Sequence, residues 1–130
     1  MKDSRVLKAI LAIAGLVAMG FGAAILFMPV AFYASNGITL GSDISVLNDL
    51  RAAGGSILAC GGFIFAGAFI PRLRFTATIL SALLYLSYGL SRIVSLVIDG
   101  MPVEGLVQAM VLEIIIGLAC VFALLKYRES

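Results

Sequence analysis

Four long apolar stretches decide what this chain can fold into. The stretches cover residues 9–28, 50–70, 75–98 and 103–125, with approximate bounds. A helix of roughly 20 residues, rising about 1.5 Å per residue, crosses a hydrocarbon layer of about 30 Å. With 62% hydrophobic and 12% charged residues, the 130-residue chain leaves no room for a soluble catalytic module. We therefore predict an all-α membrane protein, a single domain over residues 1–130 that forms an antiparallel four-transmembrane-helix bundle.

Turn residues separate the four stretches. Pro29 cannot continue the first helix, a turn at residues 71–74 follows the second, and Gly100 is placed to cap the third before Pro102. These short turns make the last three helices antiparallel neighbours. The one long connection, residues 29–48, is either an interfacial loop or a lid over a cavity.

The basic residues orient the chain. Seven of the nine fall on one side of a four-span arrangement: Lys2, Arg5, Lys8, Arg72, Arg74, Lys126 and Arg128. The positive-inside rule then predicts a multi-pass membrane protein with both termini cytoplasmic. The competing interpretation is a signal peptide over residues 2–24. The apolar stretch here has about 20 residues and exceeds the usual 7–15 residues of a signal peptide, which favours a retained first helix.

Small residues recur on two helices. On the second helix they are Ala52, Gly55, Ala59, Gly62 and Ala66, and on the first Ala14, Ala18 and Gly22. Small residues allow membrane helices to approach closely, which favours internal packing of these stripes, with a homodimer face as the alternative.

The third helix carries polar residues along one face. They are Ser81, Tyr85, Tyr88, Arg92, Ser95 and Asp99, which stay within about 80° of one another around a 3.6-residue helix. The pattern indicates either an internal groove for a ligand or an interhelical hydrogen-bond seam without one.

Arg92 and Glu113 are two charges within apolar helices. A charge at the centre of a membrane helix costs roughly 2.5 to 3.5 kcal/mol on insertion scales, which favours a partnered, inward-facing group. Folding about the turn at 99–102 brings position 92 within an arginine's reach of Glu113. A closed pair would be a structural clasp, and an unpaired Glu113 would be a proton site.

Polar residues also open the second helix. We expect Asn48 and Asp49 to cap it. Arg51 either reaches to lipid headgroups or bends over the bundle mouth, where with Arg92 it would favour an anionic head. The predicted ligand-binding set is Arg51, Tyr85, Tyr88, Arg92, Ser95, Asp99 and Glu113.

Several of these motifs occur together in a known family. They are Asn48-Asp49-Leu50-Arg51 with Gly54-Gly55, then Gly89-Leu90-Ser91-Arg92, Asp99-Gly100-Met101-Pro102, and Glu113 in mid-helix. The chain resembles, over nearly its whole length, a group of small bacterial four-helix membrane proteins catalogued as a domain of unknown function. In size and layout it is also DoxX-like. The resemblance implies a multi-pass protein of the bacterial inner membrane, a four-helix bundle with Arg51, Arg92, Asp99 and Glu113 as its signature polar residues. It implies no activity.

Missing residues exclude several chemistries. The chain has no His, which removes His-based triads, His-ligated haem and most zinc sites. Cys60 and Cys120 lie at different depths, too far apart for a disulfide, and are interpreted as small hydrophobes. We expect no metal, no cofactor and no nucleic-acid partner.

Several functional hypotheses follow. The favoured one is a membrane protein, acting alone or as an accessory subunit, that binds a lipid-like, quinone-like or anionic amphipathic molecule in an outward-facing polar cavity. The alternative is a proton-coupled small transporter that uses Glu113. An enzyme is not expected, because Asp99 and Glu113 lie roughly 15 Å apart in depth. A subunit of a larger membrane complex or a homo-oligomer would need no ligand site.

Overall fold

The computed structural model describes residues 1–128 and contains five α-helices joined by short connections. The helices are α1 (Arg5–Phe27), α2 (Pro29–Ser35), α3 (Ile44–Phe69), α4 (Arg74–Asp99) and α5 (Glu104–Tyr127), with a 3-10 turn at Pro71–Leu73 before α4. Within that part of the chain there is no strand. Four helices, α1, α3, α4 and α5, are long and apolar enough to cross a membrane. The predicted all-α membrane bundle is confirmed.

Several helix boundaries differ from the sequence prediction because caps lie outside the apolar stretches. The Ser4 hydroxyl accepts the Leu7 amide at 3.5 Å, so α1 begins at residue 5 rather than 9. The Asp43 carboxylate accepts the Ser45 amide at 2.9 Å and starts α3 six residues early. The predicted cap at Asn48 and Asp49 is therefore wrong. The predicted Gly100 cap is confirmed, with a φ of 96° that favours glycine.

The long connection contains a short helix. Pro29 ends α1 and occupies the first turn of α2, where its missing N–H costs nothing. Helix α2 has seven residues, and the chain reaches α3 through two turns at Gly37 and Gly41 with positive φ. The segment is thus an ordered helix followed by a loop, set at one end of the bundle.

Helix α1 packs mainly on α3, and α4 packs mainly on α5. Glycines bring the first pair into backbone contact: a Cβ at Gly61 would lie 2.7 Å from the Met19 nitrogen, and one at Gly15 would lie 2.6 Å from the Phe65 nitrogen. The predicted small-residue stripe on α3 is not this contact face, since no atom lies within 4 Å of a Cβ at Gly62. The contact lies one residue away around α3.

The two helix pairs meet at one end of the bundle. We call it the basic end; it holds the Pro71–Leu73 turn, and there the Lys2 amide donates to the Tyr127 carbonyl at 2.7 Å. Among residues 1–128, the twelve buried hydrophobic residues lie in this half or near the middle of the bundle: Leu7, Leu11, Ala14, Ala18, Ile64, Ala68, Ala77, Ala82, Tyr85, Ile116, Cys120 and Ala123. At the opposite, acidic end, which holds Asp43 and the turn at Asp99, the core does not continue. The two pairs diverge there and leave a wedge between them.

A buried arginine closes the basic end. Arg74, only 2% exposed, donates to the carbonyls of Gly67 and Ala68 at 3.2 and 3.1 Å and to Asp3 at 3.2 Å. The Lys8 ammonium, 3.0 Å from Asp3, is the main reason that the pKa of the Asp3 carboxyl lies below its usual range. The sequence places Arg74 among topology-setting charges, but in the structure it satisfies the last carbonyls of α3.

Candidate functional site

The wedge between the two helix pairs is a cavity of about 530 Å³ in the acidic half of the bundle. Its walls come from all five helices, and its size falls within the range of small-molecule sites. Lining residues include Phe21, Ile25, Phe32, Tyr33, Asn36, Leu50, Ile57, Tyr85, Tyr88, Arg92, Leu106, Gln108, Ala109 and Glu113. Most of the surface is apolar, and the polar groups are few.

An ion pair forms part of the cavity wall. Arg92 Nε donates to Glu113 Oε1 at 2.5 Å, which confirms the predicted pairing of α4 with α5. Glu113 is 14% exposed and Arg92 is 32% exposed. The Arg92 guanidinium also lies 5.9 Å from the centre of the Tyr88 ring. Among residues 1–128, no hydrogen bond uses Arg92 Nη1 or Nη2. The pair is therefore closed through Nε, and the other guanidinium nitrogens keep donors for another group.

The polar face of α4 has two different halves. Toward the basic end, the Tyr85 hydroxyl donates to the Ala14 carbonyl, and Ser81 Oγ lies 3.0 Å from Cys120 Sγ. These groups form an interhelical hydrogen-bond seam. Toward the acidic end, Tyr88 and Arg92 face the cavity instead. The predicted hydrogen-bond seam is therefore confirmed for the half of α4 toward the basic end, and the other half lines a cavity.

Three predicted site residues lie outside the cavity lining. Ser95 donates to Asp99 Oδ2 at 3.1 Å, and it lines a smaller neighbouring hollow of about 250 Å³ that also touches Arg92. Asp99 is exposed at the end of α4 and lines neither space. Arg51 Nη1 donates to the Leu26 carbonyl at 2.6 Å, so it satisfies the C-terminal end of α1 rather than reaching over the cavity.

The structure adds cavity residues that the sequence prediction missed. Phe21 and Phe32 meet edge to face at 5.7 Å, and Phe32 meets Tyr33 the same way at 5.4 Å. Asn36, at the end of α2, approaches α5 so closely that a side chain at Gly105 would collide with its amide oxygen. Helix α2 thus lies against the cavity mouth and reaches from α1 to α5. Two sequence features could have indicated this helix: the proline at its first turn and the length of the connection between α1 and α3.

Charge and metal ligands in this region are limited. Arg92 and Glu113 are the charged residues of the cavity lining, and they neutralise each other. No group of three or more Cys, Asp or Glu side chains that could hold a metal ion occurs within residues 1–128. What the cavity offers is apolar surface, aromatic rings and a few hydrogen-bonding groups beside a neutral ion pair.

The fold and the cavity define a class, a small helical membrane protein with a mostly apolar cavity between two helix pairs and an ion pair in the cavity wall. The chain belongs to a family described as Domain of unknown function (DUF4345), whose model matches residues 6–124. This confirms the resemblance to an uncharacterised domain of unknown function. Comparison with curated proteins and with solved structures gives no match.

Proposed function

We propose that this membrane protein binds a lipid-like amphipathic small molecule in the wedge cavity, as a binding protein or an accessory subunit of a membrane complex. The observation that carries the proposal is the position of the Arg92–Glu113 pair in the wall of an otherwise apolar cavity of about 530 Å³. The tail of the ligand would pack on the apolar walls, and its head group would accept hydrogen bonds near Arg92.

The distribution of side chains supports an amphipathic ligand. Ile25, Leu50 and Ile57 give the α1–α3 wall an apolar surface, whereas Tyr88 and Arg92 give the facing wall hydrogen-bond donors. Small-molecule sites combine a mostly apolar lining with a few convergent polar groups in this way.

The closed basic end favours binding over transport. The core and the buried Arg74 fill the bundle between the cavity and that end. With the basic end on the cytoplasmic side, as the positive-inside rule predicts, the cavity would open toward the outer face of a bacterial inner membrane. A carrier would need a second arrangement of the bundle that opens this packed half.

The proton-coupled carrier remains the second candidate because Glu113 lies in the cavity wall. A carrier would release protons when substrate binds, and Glu113→Gln would abolish the release. A binding protein would show the same ligand occupancy without proton release between pH 5 and 9.

Native mass spectrometry of the purified protein tests the proposal. The cavity-filling variant Ala109→Phe should lose a co-purified ligand of defined mass bound one to one. The matched control is Leu118→Phe on the same helix, because Leu118 is 57% exposed and lies outside the cavity lining. It should keep the ligand. If wild type, Ala109→Phe and Leu118→Phe carry the same lipid mixture, the proposed function is wrong.

A further inference from the structure

The charge of the cavity constrains the head group of its ligand. Arg92 and Glu113 bring one positive and one negative charge to the lining, with their nearest atoms 2.5 Å apart. An anionic head placed beside the free guanidinium nitrogens would also lie close to the Glu113 carboxylate. Attraction and repulsion then largely offset each other, while the anion loses its hydration on entering the cleft. A neutral head avoids both costs.

The hydrogen-bonding groups point to acceptor oxygens on the ligand. Nη1 and Nη2 of Arg92 are donors without a protein partner in the described chain, and the hydroxyl of Tyr88 and the amide of Gln108 belong to the same lining. Guanidinium nitrogens only donate hydrogen bonds. A carbonyl oxygen is an uncharged group that accepts hydrogen bonds from these nitrogens. Unlike a hydroxyl, it carries no proton that needs an acceptor in turn.

Aromatic rings form much of the remaining surface. The lining contains five of them: Phe21, Phe32, Tyr33, Tyr85 and Tyr88. The first three form a continuous edge-to-face series from α1 to α2. Aromatic side chains pack favourably on a flat ring in offset or edge-on arrangements. A planar head fits this surface better than a branched or tetrahedral one.

We infer that the cavity selects an uncharged amphiphile whose planar ring carries carbonyl oxygens, as in a quinone, over an amphiphile with a carboxylate or phosphate head. This inference rests on the proposed function and narrows it. The ring lies among the aromatic side chains, its carbonyl oxygen accepts from Arg92, and the tail leaves along the apolar wall.

The test compares three probes that share a ten-carbon tail: a decyl-substituted benzoquinone, decanoate and decyl phosphate. Their affinities are measured by titration calorimetry into protein in lipid nanodiscs, with empty nanodiscs as the blank. Wild-type protein should bind the quinone at least tenfold more tightly than either anion. Gln108→Lys should bind decanoate at least fivefold more tightly than Gln108→Met does, because both substitutions remove the amide and only lysine adds a positive charge.

The control variant Gln108→Met removes the amide without adding charge and should not admit decanoate. If decanoate or decyl phosphate binds wild type as tightly as the quinone, and Ala109→Phe abolishes that binding, the proposed function stands and the inferred head-group class is wrong. If every probe binds wild type and Ala109→Phe equally, both the inference and the proposed function are wrong. Because Gln108 is exposed, these variants leave the packed core intact.

Discussion

Breaking the Arg92–Glu113 pair should destabilise the bundle in a non-additive way. Charge centres about 4 Å apart attract by about 4 kcal/mol at an effective dielectric constant of about 20. Much of this is offset by lost hydration, although Arg92 remains 32% exposed. Arg92→Met alone leaves a half-buried carboxylate without its partner, and we expect a cost of about 2 to 3 kcal/mol.

The double variant leaves neither charge unpaired. Glu113→Gln alone should cost about 1 kcal/mol, because it leaves the Arg92 cation without its partner but partly exposed. Arg92→Met combined with Glu113→Gln should cost about 1 to 2 kcal/mol, less than the sum of the two single costs, so the coupling between the two positions should be about 2 kcal/mol. The assay is unfolding by sodium dodecyl sulfate in mixed micelles, followed by far-ultraviolet circular dichroism. Arg51→Met combined with Glu113→Gln is the control, and its effects should add because Arg51 contacts α1 instead. A coupling below about 0.5 kcal/mol for the Arg92–Glu113 cycle would refute the clasp.

Further predictions concern the packing and the basic end. Gly61→Ala should cost about 1 to 3 kcal/mol because its Cβ would meet the backbone of α1, whereas Gly62→Ala should be tolerated, as paired unfolding curves will show. Arg74→Met should destabilise by about 2 to 4 kcal/mol because two helix-end carbonyls lose their donors, and Arg74→Lys should not restore stability in the same assay. Equal stability of Gly61→Ala and Gly62→Ala, or wild-type stability of Arg74→Met, would contradict the packing described above. By carbon-13 nuclear magnetic resonance, Asp3 should titrate with a pKa below its usual 3.8, and Lys8→Ala should raise that pKa. A depressed pKa means that the contribution of Asp3 to stability is complete above pH 3.8 and is lost as the pH falls below it. An unshifted Asp3 titration would contradict the ion pair.

The features that follow from chain length and periodicity were predictable from the sequence. Apolar stretches of about 20 residues fix the four spans, because such a stretch can satisfy its own backbone in lipid only as an α-helix. The pairing of Arg92 with Glu113 follows from a four-residue turn and the 1.5 Å rise of two antiparallel helices. Both predictions depend on local geometry that tertiary packing has little freedom to change.

The features that depend on tertiary packing were not predictable in the same way. The glycine face of α3 is one residue away from the predicted stripe, because glycines occur in adjacent pairs and only the structure selects Gly54 and Gly61 over their neighbours. The cavity arises where the two helix pairs diverge, which no periodicity encodes. The burial of Arg74 was predictable from the sequence. Arg74, Thr78 and Ser81 are separated by four and then three residues, so they continue the polar face of α4 toward the start of the helix.

The most direct test of ligand binding in the wedge cavity is an experimental structure of the protein, purified from its own membrane into lipid nanodiscs. We expect that Arg92 Nε contacts Glu113 and that additional density fills the wedge between the α1–α3 and α4–α5 pairs, in contact with Arg92 Nη1 or Nη2. A closed wedge, with the two pairs packed together at the acidic end and no density beside Arg92, would contradict it.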